Sequence, residues 1–391
     1  MTSKLNYLFC LFLAIFIGGC GGSTGTQVVT NSGPFHTHSI PQTKAKWGFI
    51  AYLNCGTSND DSSALSKIRS FVQLASRSNN VNCAVQIKQF SRSTLGQNPE
   101  SFRGTRRYLI SQKNGLKLDQ NLGSSYPMAT KNGFRDFVRW AMKKCPAEKY
   151  YLYICSHGAG TYGFGYSTKI KINDFRDGLG DNRFEVITFD SCDMAALANA
   201  YALKDKTKYY IATENEALLK RDHIKDVLGL LHSQPDISTE RLAVQAGQIL
   251  SSSGQVAKNY RSVVKTSELR SLATELNALG RVLRQNIAQQ DFSGFLRDIR
   301  ANSKRIASFY TLYDMKEVMV NMRNHPLSNP SVVEQVQRVE SVLQNAIIYN
   351  YDGSIQQRHC GLSLTLPVQN SLIALRKFDL FQDAPYWLHV K

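Results

Sequence analysis

An apolar, β-branched run over residues 184–189 stops on Asp190 and is followed by Ser191-Cys192-Asp193-Met194. A run of that length and type forms a buried strand. Residues 194–203 then have the composition of a helix, so the chain must pass from strand to helix within one short turn. That sequence constrains the fold to strand–helix alternation. It also places Cys192 at the carboxyl edge of a sheet, where open α/β folds hold their sites. The N–H groups and dipole of the following helix favour an anion there, so a stabilised thiolate is expected.

A second run ends the same way. Residues 149–156, KYYLYICS, lead into His157-Gly158-Ala159-Gly160. If the two strands are neighbours, His157 and Cys192 meet above the sheet edge, and a Cys activated by a His is a nucleophile for acyl transfer. A lone Cys or His is most often inert; here both close apolar strands and both lead into turn or helix signals. Cys155 lies two residues before His157, on the same strand face. It is the rival nucleophile, but it sits inside the strand without a following helix N-terminus, so a buried packing role is expected.

The remaining pattern is consistent with a parallel sheet. Residues 47–54 read as a strand, Asp61 or Ser62 opens a helix to about residue 75, and residues 81–90 alternate as a second strand. This β-α-β opening implies parallel pairing. A hairpin is expected from residue 103 onward. Residues 128–144 have helical spacing, with Phe134, Phe137, Val138 and Met142 on one face. Downstream, strands are expected over 209–213, 257–265, 347–351 and 362–366. Helices are expected over 172–179, 224–232, 240–252, 267–289, 309–322 and 332–346. The late strands are expected to extend one sheet.

Taken together, these segments resemble the clostripain family of cysteine peptidases. The likeness rests on His157-Gly158 after one strand and Asp190-Ser191-Cys192-Asp193-Met194 after another. It also rests on Trp47-Gly48-Phe49-Ile50-Ala51-Tyr52-Leu53-Asn54, Thr105-Arg106-Arg107-Tyr108-Leu109-Ile110 and Gly361-Leu362-Ser363-Leu364-Thr365-Leu366-Pro367, and runs from about residue 46 to the C-terminus. The resemblance implies an α/β, caspase-like three-layer α/β/α sandwich around a mostly parallel central sheet. It implies a cysteine endopeptidase in which Cys192 attacks the scissile carbonyl and His157 protonates the leaving amine. The backbone N–H groups of Gly158 and Cys192 are candidates to hold the oxyanion, and a glycine at 158 lets a substrate carbonyl approach. By resemblance, Asp190 belongs to a pocket that selects Arg or Lys at P1, and Lys169 and Lys171 lie where many members cut themselves. One departure stands out. The family's acidic, Gly-rich loop corresponds to residues 214–222, which here contain no Gly and carry Lys220 and Arg221. Glu214, Glu216 and Asp222 are its alternative acids.

The N-terminus carries Lys4 and an apolar run over 5–17, the pattern of a secretory signal over residues 1–19. Ile17-Gly18-Gly19-Cys20 resembles a bacterial lipobox, which implies lipidation of Cys20 and anchoring to an envelope membrane, outside the cytoplasm. Residues 20–45 are rich in Gly, Ser and Thr and read as a flexible tether, followed by a peptidase domain over 46–391. Forty-seven Lys and Arg against 30 Asp and Glu give a net charge of +17. No zinc-ligand spacing and no basic run with interleaved aromatics accompanies that charge. Nucleic acid is therefore not expected as a partner, and attraction to anionic membrane or envelope polymers is. The eight cysteines contain no CxxC pair, so neither metal nor cofactor is expected; calcium dependence is not legible, as EF-hand spacing is missing. Cys55 and Cys83 fall at opposite ends of parallel strands, beyond the ~7 Å that a disulfide spans, so mostly free thiols are expected. Two readings compete with a peptidase acting on protein or peptide substrates. One is a catalytically silent binding lipoprotein that keeps the fold; the other is a cationic envelope adhesin.

Overall fold

The computed structural model describes residues 44–388 apart from 57–60, 76–78, 96–97, 114, 167, 218–222, 252–260, 307–311, 352–358, 367–376 and 378. The expected signal segment, Cys20 and nearly all of the tether lie outside the described residues, as do Lys220, Arg221 and Asp222.

The strands are β1 (Ala45–Asn54), β2 (Val81–Leu95), β3 (Asn98–Ser111), β4 (Gly115–Gly123), β5 (Ala147–Ser156), β6 (Phe184–Asp190), β7 (Thr207–Ala212), β8 (Arg261–Lys265), β9 (Leu312–Asp314), β10 (Ile347–Tyr351) and β11 (Ser363–Thr365). Nine of them form one sheet in the order β10-β8-β7-β6-β5-β1-β2-β3-β4. The central strands β7, β6, β5, β1 and β2 pair in parallel, and the two edges are antiparallel. The chain runs outward from β1 to β2, then crosses back to β5 on the other side of β1. The reversal of strand order between β1 and β5 is where such sheets open a crevice at their carboxyl ends.

Both faces of the parallel strands are buried, as helices on both sides require. On one side, Trp47, Phe49, Tyr151 and Tyr153 pack with helices α1 (Asp61–Ala75), α5 (Ile224–Ser233) and α6 (Thr239–Ser251). On the other, Ile50, Tyr52, Leu152, Ile187 and Phe189 pack with α2 (Lys131–Lys144), α3 (Ile172–Leu179), α4 (Leu197–Ala202) and α7 (Leu269–Asn286). Beyond them lie α8 (Gln289–Asn302), α9 (Met315–Asn324) and α10 (Pro330–Ala346). This is the expected three-layer sandwich. Local chemistry fixes several boundaries. Thr130 caps α2 by accepting from the Gly133 N–H, which moves its start to Lys131. Asn329 caps α10 with Pro330 at its first position.

Three expectations fail. The helix expected over 309–322 starts, among the described residues, at Met315, and residues 309–311 lie outside them. Residues Leu312–Asp314 are extended instead, because the Asp314 side chain caps α9 by accepting from the Glu317 N–H. The late strand β11 does not join the main sheet but pairs antiparallel with β9 in a separate ribbon. The helix after Cys192 begins at Leu197, not Met194, because residues 191–195 are held in a turn by other strands' ends, described below.

Candidate active site

The sheet register brings the two strand ends together. Strands β5 and β6 are parallel neighbours, and Cys155 is paired with Asp190. His157 and Cys192 each lie two residues beyond that pair. Their backbones touch: a Cβ placed on Gly158 would lie 1.8 Å from the Cys192 carbonyl oxygen and 2.7 Å from its nitrogen. Glycine is required at 158 by the Cys192 backbone itself, a tighter constraint than the expected approach of a substrate carbonyl.

His157 is held from two sides. Its carbonyl accepts from the Gly165 N–H at 2.8 Å, and Phe164 and Ile170 exchange N–H···O bonds of 3.1 and 2.8 Å, so the chain after His157 folds back on itself. The Tyr166 ring lies 5.4 Å from the imidazole, centroid to centroid. Beneath, Gly56 at the end of β1 has φ +103°, and a Cβ there would meet the imidazole Cδ2 at 2.8 Å. Only a residue without a side chain lets β1 end this close to the imidazole. Lys169 and Lys171 are both exposed on the segment that leads into α3.

Cys192 is partly buried in a tight turn. The next residue, Asp193, has φ 58°, a left-handed conformation that Asp tolerates better than most residues. The turn is clamped to the loop after β7, with Asp193 N–H donating to Asn215 O at 3.0 Å and Ala195 N–H to Thr213 O at 2.9 Å. The same loop reaches the sulfur, since the Ala217 N–H donates to Cys192 Sγ at 3.2 Å. The expected thiolate stabilisation by a helix N-terminus is corrected here. With α4 starting five residues away, burial pushes the thiol above its ordinary value. The carboxylates of Asp193, Glu216 and Asp190 push the same way, and the Ala217 N–H opposes them. Burial and the nearby Glu216 raise Asp193 itself to about 6.

Asp190 is buried, and its charge is matched inside the protein. Its Oδ1 accepts from Arg261 Nη2 at 2.7 Å and its Oδ2 from the Tyr153 hydroxyl at 2.6 Å. Both partners of the ion pair are nearly inaccessible, at 3% and 6% side-chain exposure. One turn of the pleat earlier, the Tyr151 and Thr188 hydroxyls meet at 2.6 Å, so a polar seam runs between β5 and β6 toward the site. Tyr153 and Arg261 were not singled out from the sequence. Tyr153 shares strand parity with Cys155, and Arg261 opens the strand that carries Val263-Val264, which are the signals that could have found them.

The rival Cys155 is fully buried, with its sulfur 3.3 Å from that of Cys55. The six described cysteines are all unbridged. Of the three alternative acids on the downstream loop, Glu216 is exposed beside the nucleophile turn and Glu214 is buried facing away, toward Asp314.

The sequence profile of the clostripain family matches residues 108–381. A search of curated proteins finds no match. Among solved structures, an inactive zymogen C11 protease from Parabacteroides distasonis is similar, with a TM-score of 0.68 at 18% identity over 88% of this chain and 99% of that one. The secreted C11 cysteine protease iotapain from Bacteroides thetaiotaomicron gives 0.66 at 14% identity over 87% and 99%. A secreted C11 protease from the same organism, in complex with an irreversible peptide inhibitor, gives 0.63 at 15% identity over 87% and 99%. With a parallel sheet that joins the His157 and Cys192 strand ends and a family profile covering most of its length, the chain belongs to the clostripain family of cysteine peptidases.

Proposed function

We propose that Cys192 and His157 are the catalytic dyad of an endopeptidase that cleaves protein or peptide substrates after basic residues. In this reading the Cys192 thiolate attacks the scissile carbonyl, the N–H groups of Gly158 and Cys192 bind the oxyanion, and His157 protonates the leaving amine and then activates water. The observation that carries it is the Cys155–Asp190 register pair, from which both functional residues follow at the same two-residue step.

Asp190 was expected to read the P1 charge, but its own charge is matched by Arg261. We assign that reading to Glu216 and Asp193, whose carboxylates lie close enough to the sulfur to raise its pKa. Asp190 then fixes the strand end beneath the nucleophile. Self-cleavage after Lys169 or Lys171 is part of the same proposal, supported by their exposure and by the likeness to a C11 zymogen.

The proposed location is a bacterial envelope, with Cys20 lipidated and the peptidase domain outside the cytoplasm. The secreted relatives and the lipobox-like Ile17-Gly18-Gly19-Cys20 support it. Among the described residues, no helix is long and apolar enough to cross a membrane.

The test uses fluorogenic peptides with Arg, Lys, Leu or Asp at P1. Turnover of the basic peptides, lost in Cys192→Ala and in His157→Ala, is the expected result. No turnover by the intact or self-cleaved chain across a broad peptide library overturns the dyad and favours the silent binder. That second reading draws on the raised pKa of the Cys192 thiol. Envelope-polymer binding that persists in Cys192→Ala and vanishes with salt favours the adhesin.

A further inference from the structure

Away from the dyad, three segments distant in sequence converge on a second cluster of side chains. Glu214 follows the end of β7, Asp314 ends β9, and His359 precedes β11. One ligand atom from each lies within 4.8 Å of the other two. Asp314 is 0% and Glu214 5% exposed. The imidazole is nearly as enclosed, with Nδ1 3.7 Å from Asp314 Oδ2.

The surroundings orient these groups as supporting shells orient ligands. Asp314 Oδ1 accepts from the Glu317 N–H at 2.9 Å and Oδ2 from the Cys360 N–H at 2.7 Å. Glu214 Oε2 accepts from the Gly361 N–H at 2.8 Å. Among the described residues, Glu214 Oε1 is buried without a hydrogen-bond donor and faces the Asp314 carboxyl. That orphan oxygen is the independent sign of a ligand. Two buried carboxylates side by side repel, and a carboxylate oxygen enclosed without a donor is costly. A small cavity lined by Glu214, Arg261, Ser262, Asn350 and His359 adjoins it.

A cation resolves both costs. We propose that Glu214, Asp314 and His359 form a site for a divalent transition-metal ion of the Zn²⁺, Mn²⁺ or Co²⁺ class. An imidazole nitrogen with two carboxylates suits these ions, whereas Ca²⁺ takes oxygen ligands. Two carboxylates balance the charge of one such ion, and water completes its coordination. At the mouth, Lys304 Nζ lies 2.6 Å from His359 Nε2. Lys304 is exposed, so its ammonium can turn out to solvent as the metal enters, with the imidazole proton on Nε2. The site ties the loop after β7 to the C-terminal ribbon. Glu214 lies three residues before Ala217, whose N–H donates to the Cys192 sulfur. A metal here therefore fixes the loop behind the nucleophile. No local spacing announces the set, because its members are 100 and 45 residues apart.

The experiment uses full-length, untagged protein carrying Cys192→Ala, which removes the reactive thiol as a competing ligand and makes binding independent of the dyad assignment. The protein is stripped with a chelator and titrated with Mn²⁺ by equilibrium dialysis and with Co²⁺ by visible absorption. The expected result is one saturable site, weakened at least about tenfold by Glu214→Gln and by His359→Gln and retained in Lys304→Gln. Weak d–d bands without a thiolate charge-transfer band identify a nitrogen–oxygen set. Circular dichroism checks each variant, and if Glu214→Gln does not fold, His359→Gln at the rim decides alone. The proposal is overturned by no saturable binding, by unchanged affinity in a folded His359→Gln, or by a thiolate band.

Discussion

The amide of Ala217 points at the sulfur of Cys192 from 3.2 Å, so this thiol is held by a loop 25 residues downstream. Burial, with the carboxylates of Asp193, Glu216 and Asp190, holds the pKa of that thiol up. Removing one of those charges lowers the pKa. In Glu216→Gln the pH midpoint of iodoacetamide alkylation at Cys192 therefore moves down relative to wild type. An unchanged or raised midpoint would show that Glu216 does not act on the thiol. With basic-P1 peptides, the same variant loses preference for Arg and Lys over Leu by about tenfold, the worth of one charge-assisted contact of ~1.5 kcal/mol.

Asp193 supplies a stability prediction with a defined sign. Its carboxyl is raised to about 6 in the fold, against an ordinary 3.8. The folded state therefore binds more protons than the unfolded state between those values, and stability falls as pH rises through them. Asp193→Asn removes the cost of the charge, and Asn tolerates φ 58°. The variant melts higher than wild type above pH 6, and the gain disappears below about pH 4. Thermal melts across pH 3.5–8 measure it; an equal gain at every pH would rule out titration of Asp193 as the cause.

Asp190 and Arg261 behave differently, because neither reaches solvent. Replacing Asp190 by Asn leaves a guanidinium buried without its counter-charge, at a cost of about 3–5 kcal/mol. Tyr153→Phe removes one hydrogen bond to the same carboxylate and costs about 1.5–3 kcal/mol. Urea unfolding separates the two. Loss of basic-P1 turnover in Asp190→Asn with undiminished stability would instead return the P1 role to Asp190.

Gly158 sets alignment. An Ala there places Cβ 1.8 Å from the Cys192 carbonyl, so one strand end must move. Displacement by about 1 Å costs on the order of 10²-fold in rate. Gly158→Ala is expected to lower kcat by about that factor with a smaller change in KM. Steady-state kinetics on one peptide checks it, and wild-type kcat would mean that the two backbones are not in contact during turnover.

Access separates the cysteines. Cys55 and Cys155 are sealed side by side beneath the site, and burial drives the Cys360 thiol well above its ordinary value. Peptide mapping after brief alkylation at neutral pH is expected to find label at Cys192 before Cys155. Prior labelling at Cys155 would restore it as the rival nucleophile.

The parallel sheet and the placement of His157 and Cys192 were legible because apolar runs ending in polar turns report strands and their ends without knowledge of distant partners. The surroundings of the sulfur were not. Whether an acid at position 190 faces substrate or a buried arginine depends on Arg261, 71 residues away and two strands over. Whether a helix dipole reaches Cys192 depends on the clamp from Thr213 and Asn215, which delays α4. Asp314 misled for a related reason. Its cap on α9 pulls the preceding residues out of an otherwise helical pattern and frees them to pair with β11.

The pairing of Cys155 with Asp190 makes the meeting of His157 and Cys192 a matter of counting. Side chains alternate along a strand, so deleting one residue from β5 or β6 would turn the imidazole or the sulfur to the opposite side of the sheet. Insertions in connections that touch neither strand end carry no such consequence. Drift among descendants of this chain can thus lengthen its remote loops while the two strands keep their residue number, and strand length outlasts residue identity as the mark of the paired strand ends.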